Sequence, residues 1–257
     1  MKKGLLIVNA DDWGLDADTT DRILECVEAG SVSSVSAMVF MKDSERAAAL
    51  ACVKGVEAGL HLNLTTTFSA DACSSRLSEH QQKLASYLRR GRIAAIAVHP
   101  GLARAFEYVV NAQMDEFQRL YGSAPERIDG HHHAHLCANM LAQRLLPAGT
   151  LVRRNFTFHA GEKSIWNRLY RRMVDGQLAR RHRLADFFFS LRPLRPSSRL
   201  ERIFGLARGA VVELETHPAQ PDEYQFLRSP AFFNCAGGAV IAPPSVFLAR
   251  PAATGER

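Results

Sequence analysis

Gly4-Leu-Leu-Ile-Val-Asn-Ala10 runs straight into Asp11-Asp12-Trp13-Gly14, and this join of an unbroken apolar run to two adjacent carboxylates decides the fold. A run without polar alternation reads as a strand buried on both faces, the mark of a parallel sheet covered by helices. Two carboxylates at the end of such a strand cost free energy unless something uses them. Three more stretches end the same way. Val56-Glu-Ala-Gly-Leu-His61-Leu-Asn63-Leu carries a histidine and an asparagine in apolar company. Pro125-Glu-Arg-Ile-Asp129-Gly-His131-His132-His133-Ala-His135 sets four imidazoles and a carboxylate after a short strand-like segment. Ala210-Val-Val-Glu213-Leu-Glu215-Thr-His217-Pro218 is a β-branched run closed by a histidine and a strand-stopping proline.

Between these runs lie stretches of helical periodicity, and the alternation favours a parallel α/β architecture over a sandwich. The spacing predicts strands at 4–10, 35–40, 56–64, 126–131, 150–153 and 210–216, and helices over 18–30, 44–54, 103–121 and 136–146. Asp18 or Thr19 would cap the first helix and Gly30 would stop it. The span 163–208 reads as mostly helical. Residues 65–100 lack a clean alternation and hold a basic, helix-like piece from Gln81 to Arg92, so they read as an insertion or lid over the active face. With 257 residues and 47% hydrophobic content the chain can bury a full core, and its length fits the ~250 residues of a (β/α)₈-type barrel. The expectation is one catalytic domain over 1–257, with an irregular tail after about 243.

The net charge is +6, and much of the surplus lies between Arg168 and Arg183. Such a patch suits nucleic acid or an anionic membrane surface. With Leu169, Met173 and Leu178 near helical spacing, a solvated helix face is the simpler account, and no nucleic-acid partner is expected. Cys26, Cys52, Cys73, Cys137 and Cys235 are odd in number and scattered, which argues for reduced thiols that bind no metal. Lys2 and Lys3 precede only seven residues before Asp11, too short a run for a signal sequence or a membrane span. The expected location is the cytoplasm.

In folds built from parallel strands, the strand C-termini share one face, where functional groups gather. Asp11, Asp12, His61, His131 and His217 all follow their strands and should converge there. Taken alone, His61 reads as a core histidine with satisfied ring nitrogens. Taken together, the set reads as a device for handling a metal or a proton. Two ligand sets are open: His61 with His131, or His131 with His135, which stand at i and i+4 if a helix starts at the cluster.

Asn9-Ala-Asp-Asp-Trp-Gly-Leu15, Gly59-Leu-His-Leu-Asn-Leu64, Ile128-Asp-Gly-His-His-His-Ala-His135 and Glu213-Leu-Glu-Thr-His-Pro218 resemble, in order, the motifs of the YdjC-type carbohydrate deacetylase family. That family includes chitooligosaccharide deacetylases and hopanoid-associated deacetylases. The resemblance implies a distorted, TIM-like (β/α) barrel with its active site at the C-terminal ends of the strands. It also implies hydrolysis of the acetamide of an N-acetylated sugar or oligosaccharide with one divalent metal. Carried over by position, Asp12, His61 and His131 resemble the metal ligands, Asp11 the general base and His217 the general acid. Arg153 resembles the arginine that orients the base or substrate. Trp13 stands where the family usually has Phe and would keep a bulky wall beside the site. Asn63, Asp129 and His132 are expected to contact substrate or support the ligands. Gly130 marks a turn before the cluster, and the family places only its first histidine on the metal, which favours His61 with His131 over the helical pair. The region after Pro218 matches poorly.

The chemistry asks for such groups. An amide carbonyl is a poor electrophile and water a poor nucleophile; a metal addresses both, a base takes the water's proton, and an acid protonates the departing amine. The resemblance implies Mg2+, whereas two imidazoles and one carboxylate suit Zn2+ or another transition ion. The expected partner is a small-molecule carbohydrate, with a homodimer left open. The rival readings are a metal-dependent barrel hydrolase of a non-sugar amide or ester, and a non-catalytic metal- or anion-binding protein.

Overall fold

The computed structural model describes residues 4–250, apart from 92, 93, 95, 159 and 160. Its sheet is wholly parallel and holds seven strands: β1 Leu5–Trp13, β2 Ser34–Ala37, β3 Ala58–Leu62, β4 Arg127–Gly130, β5 Leu151–Val152, β6 Phe187–Ser190 and β7 Val211–Thr216. They lie in the order β5-β4-β3-β2-β1-β7-β6. Helices fill the crossovers between strands, as parallel pairing requires. The helix Ala103–Tyr121 turns Phe106, Val109, Val110, Gln113 and Phe117 inward at three- and four-residue spacing and stops at left-handed Gly122.

The sheet curls until its ends meet. Arg153, which follows β5, reaches Asp11 of β1 and Glu213 of β7, and Arg127 of β4 also reaches Glu213. A flat sheet would hold these strands far apart. At the seam, Leu151 forms a parallel bridge with Arg183, and Thr157 N donates to Phe188 O at 2.8 Å. The result is a distorted barrel with one strand fewer than the regular eight.

Period-two alternation sorts β1 between the two sides of this wall. Leu6, Val8 and Ala10 pack into the main core beneath the helices. Leu5 and Ile7 point inward with Ala185 and Val211, forming a small apolar plug at the barrel's closed end. Above the plug the interior becomes polar, with Asn9, Ser34, Ser36, Arg127 and Glu213 all buried. Gly59 makes room there, because a Cβ at that position would stand 2.9 Å from Arg127 O and 3.1 Å from Arg127 Nη1.

Several sequence expectations need correction. Phe187–Ser190 is a strand inside the span read as helical. A short apolar run cannot be told from a helix segment by periodicity, and here pairing to β7 decides it. The first helix is capped by Asp16, whose side chain accepts from Thr19 N, rather than by Asp18 or Thr19. The second strand ends at Ala37, short of Phe40, which takes a left-handed φ of 59°. Within 65–100, Ser75–Leu88 is a helix that buries Leu77, Gln81, Leu84 and Ala85. Past 243, Pro244–Leu248 is a short helix. Residues 92, 93 and 95 of the expected insertion and 251–257 of the expected tail lie outside the described residues.

Gly59→Ala should therefore destabilise the protein by about 1–3 kcal/mol in urea unfolding at unchanged m-value, because the Arg127 backbone cannot yield as a flexible side chain would. A change below about 0.5 kcal/mol would show that the approach is not tight.

Candidate active site

Three side chains meet at the open end of the barrel. Asp12 Oδ1 lies 2.9 Å from His131 Nδ1 and 3.4 Å from His61 Nε2, yet this buried oxygen has no properly directed hydrogen bond. One ligand atom from each of Asp12, His61 and His131 lies within 4.8 Å of the others. A buried acceptor without a donor, facing two imidazole nitrogens, is a donor set that fits a divalent cation. Burial opposes ionisation of Asp12, but the two histidines outweigh it and hold the carboxyl far below its usual range.

Backbone geometry makes the convergence. Consecutive strand residues face opposite sides, so Asp11 and Asp12 could not both serve one site in a regular strand. The β1–β2 register is broken between Ala10 and Trp13, and Asp12 takes a φ of 70°. His132 and His133 are left-handed as well, at φ 53° and 55°. Such conformations cost of order 1–3 kcal/mol each and persist only where the surroundings fix them. Gly130 permits the next turn, since a Cβ there would meet His135 N at 2.9 Å.

Behind the ligands lies a dense polar layer. Asp129 Oδ1 accepts from His61 Nδ1 at 2.6 Å; a carboxylate can only accept, so this bond leaves Nε2 to face Asp12. The other Asp129 oxygen receives Ser36 Oγ, Arg127 Nη2 and Arg153 Nη2 at 2.6, 2.7 and 2.8 Å. Arg153 also grips Asp11 through two parallel bonds of 2.6 and 2.7 Å, and Asn9 Nδ2 adds a third at 2.8 Å. Burial works against the charged form of Asp11, but Arg153 and His61 prevail and keep it ionised. His61 is likewise penalised by burial and yet raised to about 10 by Asp129 and Asp11.

His217 follows β7 and approaches Asp11. His217 Nε2 lies 4.0 Å from Asp11 Oδ2 and 3.5 Å from Glu215 Oε1, and about a third of its side chain is exposed. His217 N donates to Glu223 Oε2 at 2.7 Å. Burial raises the Glu223 carboxyl to about 7. Burial, and then the charge of Asp11, push Glu215 well above the carboxylate range; its Oε2 has no hydrogen bond and lies 3.6 Å from His133 Nε2. Burial lowers His133 to about 3.

Asp11, Asp12, His61, Asp129, His131, Arg153 and His217 are thus brought together. Asn63 and Trp13 stand apart. Asn63 closes a turn by accepting from Thr65 N and Thr66 N and donating to Thr66 O. Trp13 is fully buried on the helix side, with its indole N–H donating to Ala47 O, so it builds core rather than a wall of the site. His132 Nδ1 meets Thr65 Oγ1 at 2.9 Å at the rim. The His131–His135 chelate does not form, because left-handed backbone separates the two residues and His135 Nε2 donates to Arg153 O at 2.9 Å. Sequence reasoning gave no role to Arg127, Glu213 or Glu215. Alternation from inward-facing Val211 could have flagged both glutamates, since β7 puts 211, 213 and 215 on one face.

The family model described as YdjC-like protein matches residues 5–236. Among curated relatives, a chitooligosaccharide deacetylase of Serratia marcescens is 36% identical over 137 residues, 51% of each chain. A carbohydrate deacetylase of Mus musculus is 31% identical over 132 residues, 51% of this chain and 43% of that one. The chain therefore spans about half the length of the curated relatives it matches. Two solved structures share the fold. A proposed cellobiose-phosphate cleavage protein of Enterococcus faecalis superposes with a TM-score of 0.66 at 19% identity, covering 96% of this chain and 99% of that one. The Xyl-CE4 domain of a xylanase from the hindgut metagenome of Trinervitermes trinervoides gives 0.50 at 9% identity, covering 95% and 89%.

Removing Arg153 should be costly. Arg153→Met leaves Asp11, Asp129 and Glu213 short of a buried counter-charge and should lose about 3–5 kcal/mol of unfolding free energy. Arg153→Lys should recover only part of that, because an ammonium cannot make the paired bonds to Asp11. A loss under about 1 kcal/mol for the Met variant would refute the role given to Arg153.

Glu223 supplies a pH signature. Its folded pKa of about 7 exceeds the ordinary 4.5, so its contribution is fully present below 4.5 and is lost as pH rises through 7. Relative to Glu223→Gln, the wild type should lose on the order of 2 kcal/mol between pH 4.5 and 8 in denaturant unfolding. Parallel curves for the two proteins would count against the burial of this acid.

Proposed function

The chain belongs to the YdjC-like protein family, and on that premise we propose that it hydrolyses the acetamide of an N-acetylated sugar, using one divalent metal held by Asp12, His61 and His131. The observation that carries this reading is Asp12 Oδ1, a buried, unbonded oxygen between two imidazole nitrogens, one of them oriented by Asp129. The deacetylase names of the curated relatives support the substrate class. The chemistry an ion supplies there is polarisation of the acetyl carbonyl and acidification of the attacking water, from ~15.7 toward ~7. The two nitrogens favour Zn2+ or another transition ion, while Mg2+ is the ion the motif resemblance implies.

The remaining steps fall to protein groups. Asp11 takes the water's proton on Oδ2 as the C–O bond forms. Arg153 keeps Asp11 ionised and therefore a weak base, so the proton is passed on; His217 Nε2 stands 4.0 Å from Oδ2 to receive it. His217 delivers that proton to nitrogen as the C–N bond breaks, releasing acetate and the free amine. Arg153 fixes the plane of Asp11 through its paired bonds. The unpaired cysteines fit a reducing compartment such as the cytoplasm.

Metal-stripped protein reconstituted with Zn2+, Mg2+, Mn2+ or Co2+ should release acetate from N-acetyl sugars. Activity confined to non-sugar amides or esters would replace the substrate class and keep the hydrolase. His61→Ala and His131→Ala should lose the ion by elemental analysis, whereas His135→Ala should keep it. Full stoichiometry in the first two would end the ligand assignment. Asp11→Asn should retain the ion while kcat falls by about 10²-fold or more, and His217→Ala should likewise retain the ion while kcat falls.

A further inference from the structure

The helix Ile165–Leu178 is built the wrong way round for a helix that only covers a core. Its inward face holds Val174, Asp175 and Leu178, with Asn167, Arg168 and Arg171 half-buried beside them. Its outward face carries Ile165, Trp166, Leu169, Tyr170 and Met173, all exposed. At 3.6 residues per turn these five fall within about 140° of the helix circumference, a continuous apolar stripe. Trp166 is 78% and Met173 62% exposed, so the stripe projects into solvent, where a patch of this kind marks an interaction surface.

Positive charge borders the stripe. A groove of about 560 Å³ runs beside Met173, and its walls include Arg144, Arg172, Arg180 and Arg181 but no carboxylate. None of these four arginines is held in an ion pair among the described residues. From Lys163 to Arg183 the sequence carries seven lysines and arginines against a single acid, Asp175, which is already engaged by Arg154 and Asn155. A second copy of the chain is a poor occupant, because a two-fold contact across this face would bring the two arginine clusters together. Nucleic acid would use the arginines and aromatic rings and leave Ile165, Leu169 and Met173 in water.

We propose that this face docks the protein on a bilayer bearing anionic lipid headgroups. The stripe of Ile165, Trp166, Leu169, Tyr170 and Met173 enters the headgroup–acyl boundary while the groove arginines meet lipid phosphates. No helix of the described residues is long and apolar enough to cross a membrane, and the attachment proposed uses this face alone.

Fluorescence tests this directly, because Trp13 is fully buried and Trp166 is the exposed one of the two tryptophans. Adding mixed phosphatidylcholine–phosphatidylglycerol vesicles to the full chain should shift the emission to the blue, and the protein should co-float with those vesicles and not with phosphatidylcholine alone. Replacing Arg172, Arg180 and Arg181 by Gln should weaken the partition at least about tenfold with an unchanged Tm. Trp166→Ser with Leu169→Ser should weaken it comparably at low salt and lose the remnant binding at high salt. Absence of co-flotation with anionic vesicles overturns the proposal. So does a blue shift that follows protein concentration without lipid, which would assign the face to a second copy, or tighter binding to RNA than to vesicles.

Discussion

A guanidinium sealed from water sits at the centre of the barrel, and the rest of the interior is arranged around it. Removing a charge from water costs several kcal/mol, a cost offset only when the hydrogen bonds around the charge are complete. Arg153 meets carboxylates from β1, β4 and β7, so its planar fork ties together three strands that are not all neighbours. Arg127 shares two of those carboxylates, Asp129 and Glu213. The backbone of Arg153 also contributes, since its carbonyl holds His135 and thereby the return of the histidine turn. One residue thus fixes the sheet's curl, the plane of Asp11 and, through Asp129, the ring of His61.

The parallel α/β class was legible because its signal is coarse. Apolar runs that end in Asp or His at residues 11, 61, 131 and 217 need only strand direction to predict that their ends meet. What escaped depended on facts that spacing cannot carry. The Phe187–Ser190 strand is too short for periodicity and is defined by its partner. The helical alternative for His131 and His135 fell to left-handed backbone at His132 and His133, which nothing in a histidine codon announces. Trp13 and Asn63 neighbour site residues in sequence, but alternation and turn formation send them elsewhere. Arg127 was passed over because a lone arginine in a strand looks like surface until the sheet is known to close.

The strained positions tell the same story from the backbone. Asp12, His132 and His133 occupy conformations their side chains disfavour, and each lies at the open end of the barrel. The well-formed charge layer beneath them is the natural support for that strain. Two buried carboxylate oxygens without a hydrogen bond, Asp12 Oδ1 and Glu215 Oε2, stand at the candidate site beside these strained positions.

The spread of the charge layer along the chain also constrains how the protein can fold. Arg153 and Asp11 are 142 residues apart, Arg127 and Glu213 are 86 apart, and Thr216 bonds back to Asn9 across 207. Contacts of such long range form late, because loop closure must precede any gain from them. A chain holding β1 to β4 without β5 and β7 would carry Asp11, Asp12 and Asp129 beside Arg127 and His61 but would lack Arg153 and Glu213, so its polar layer would be incomplete. The candidate ligands Asp12, His61 and His131 belong to the first four strands and their ends, whereas Arg153 and His217 arrive only with β5 and β7, so the closing of the barrel is what brings the guanidinium and the proposed acid to the ligands and the proposed base.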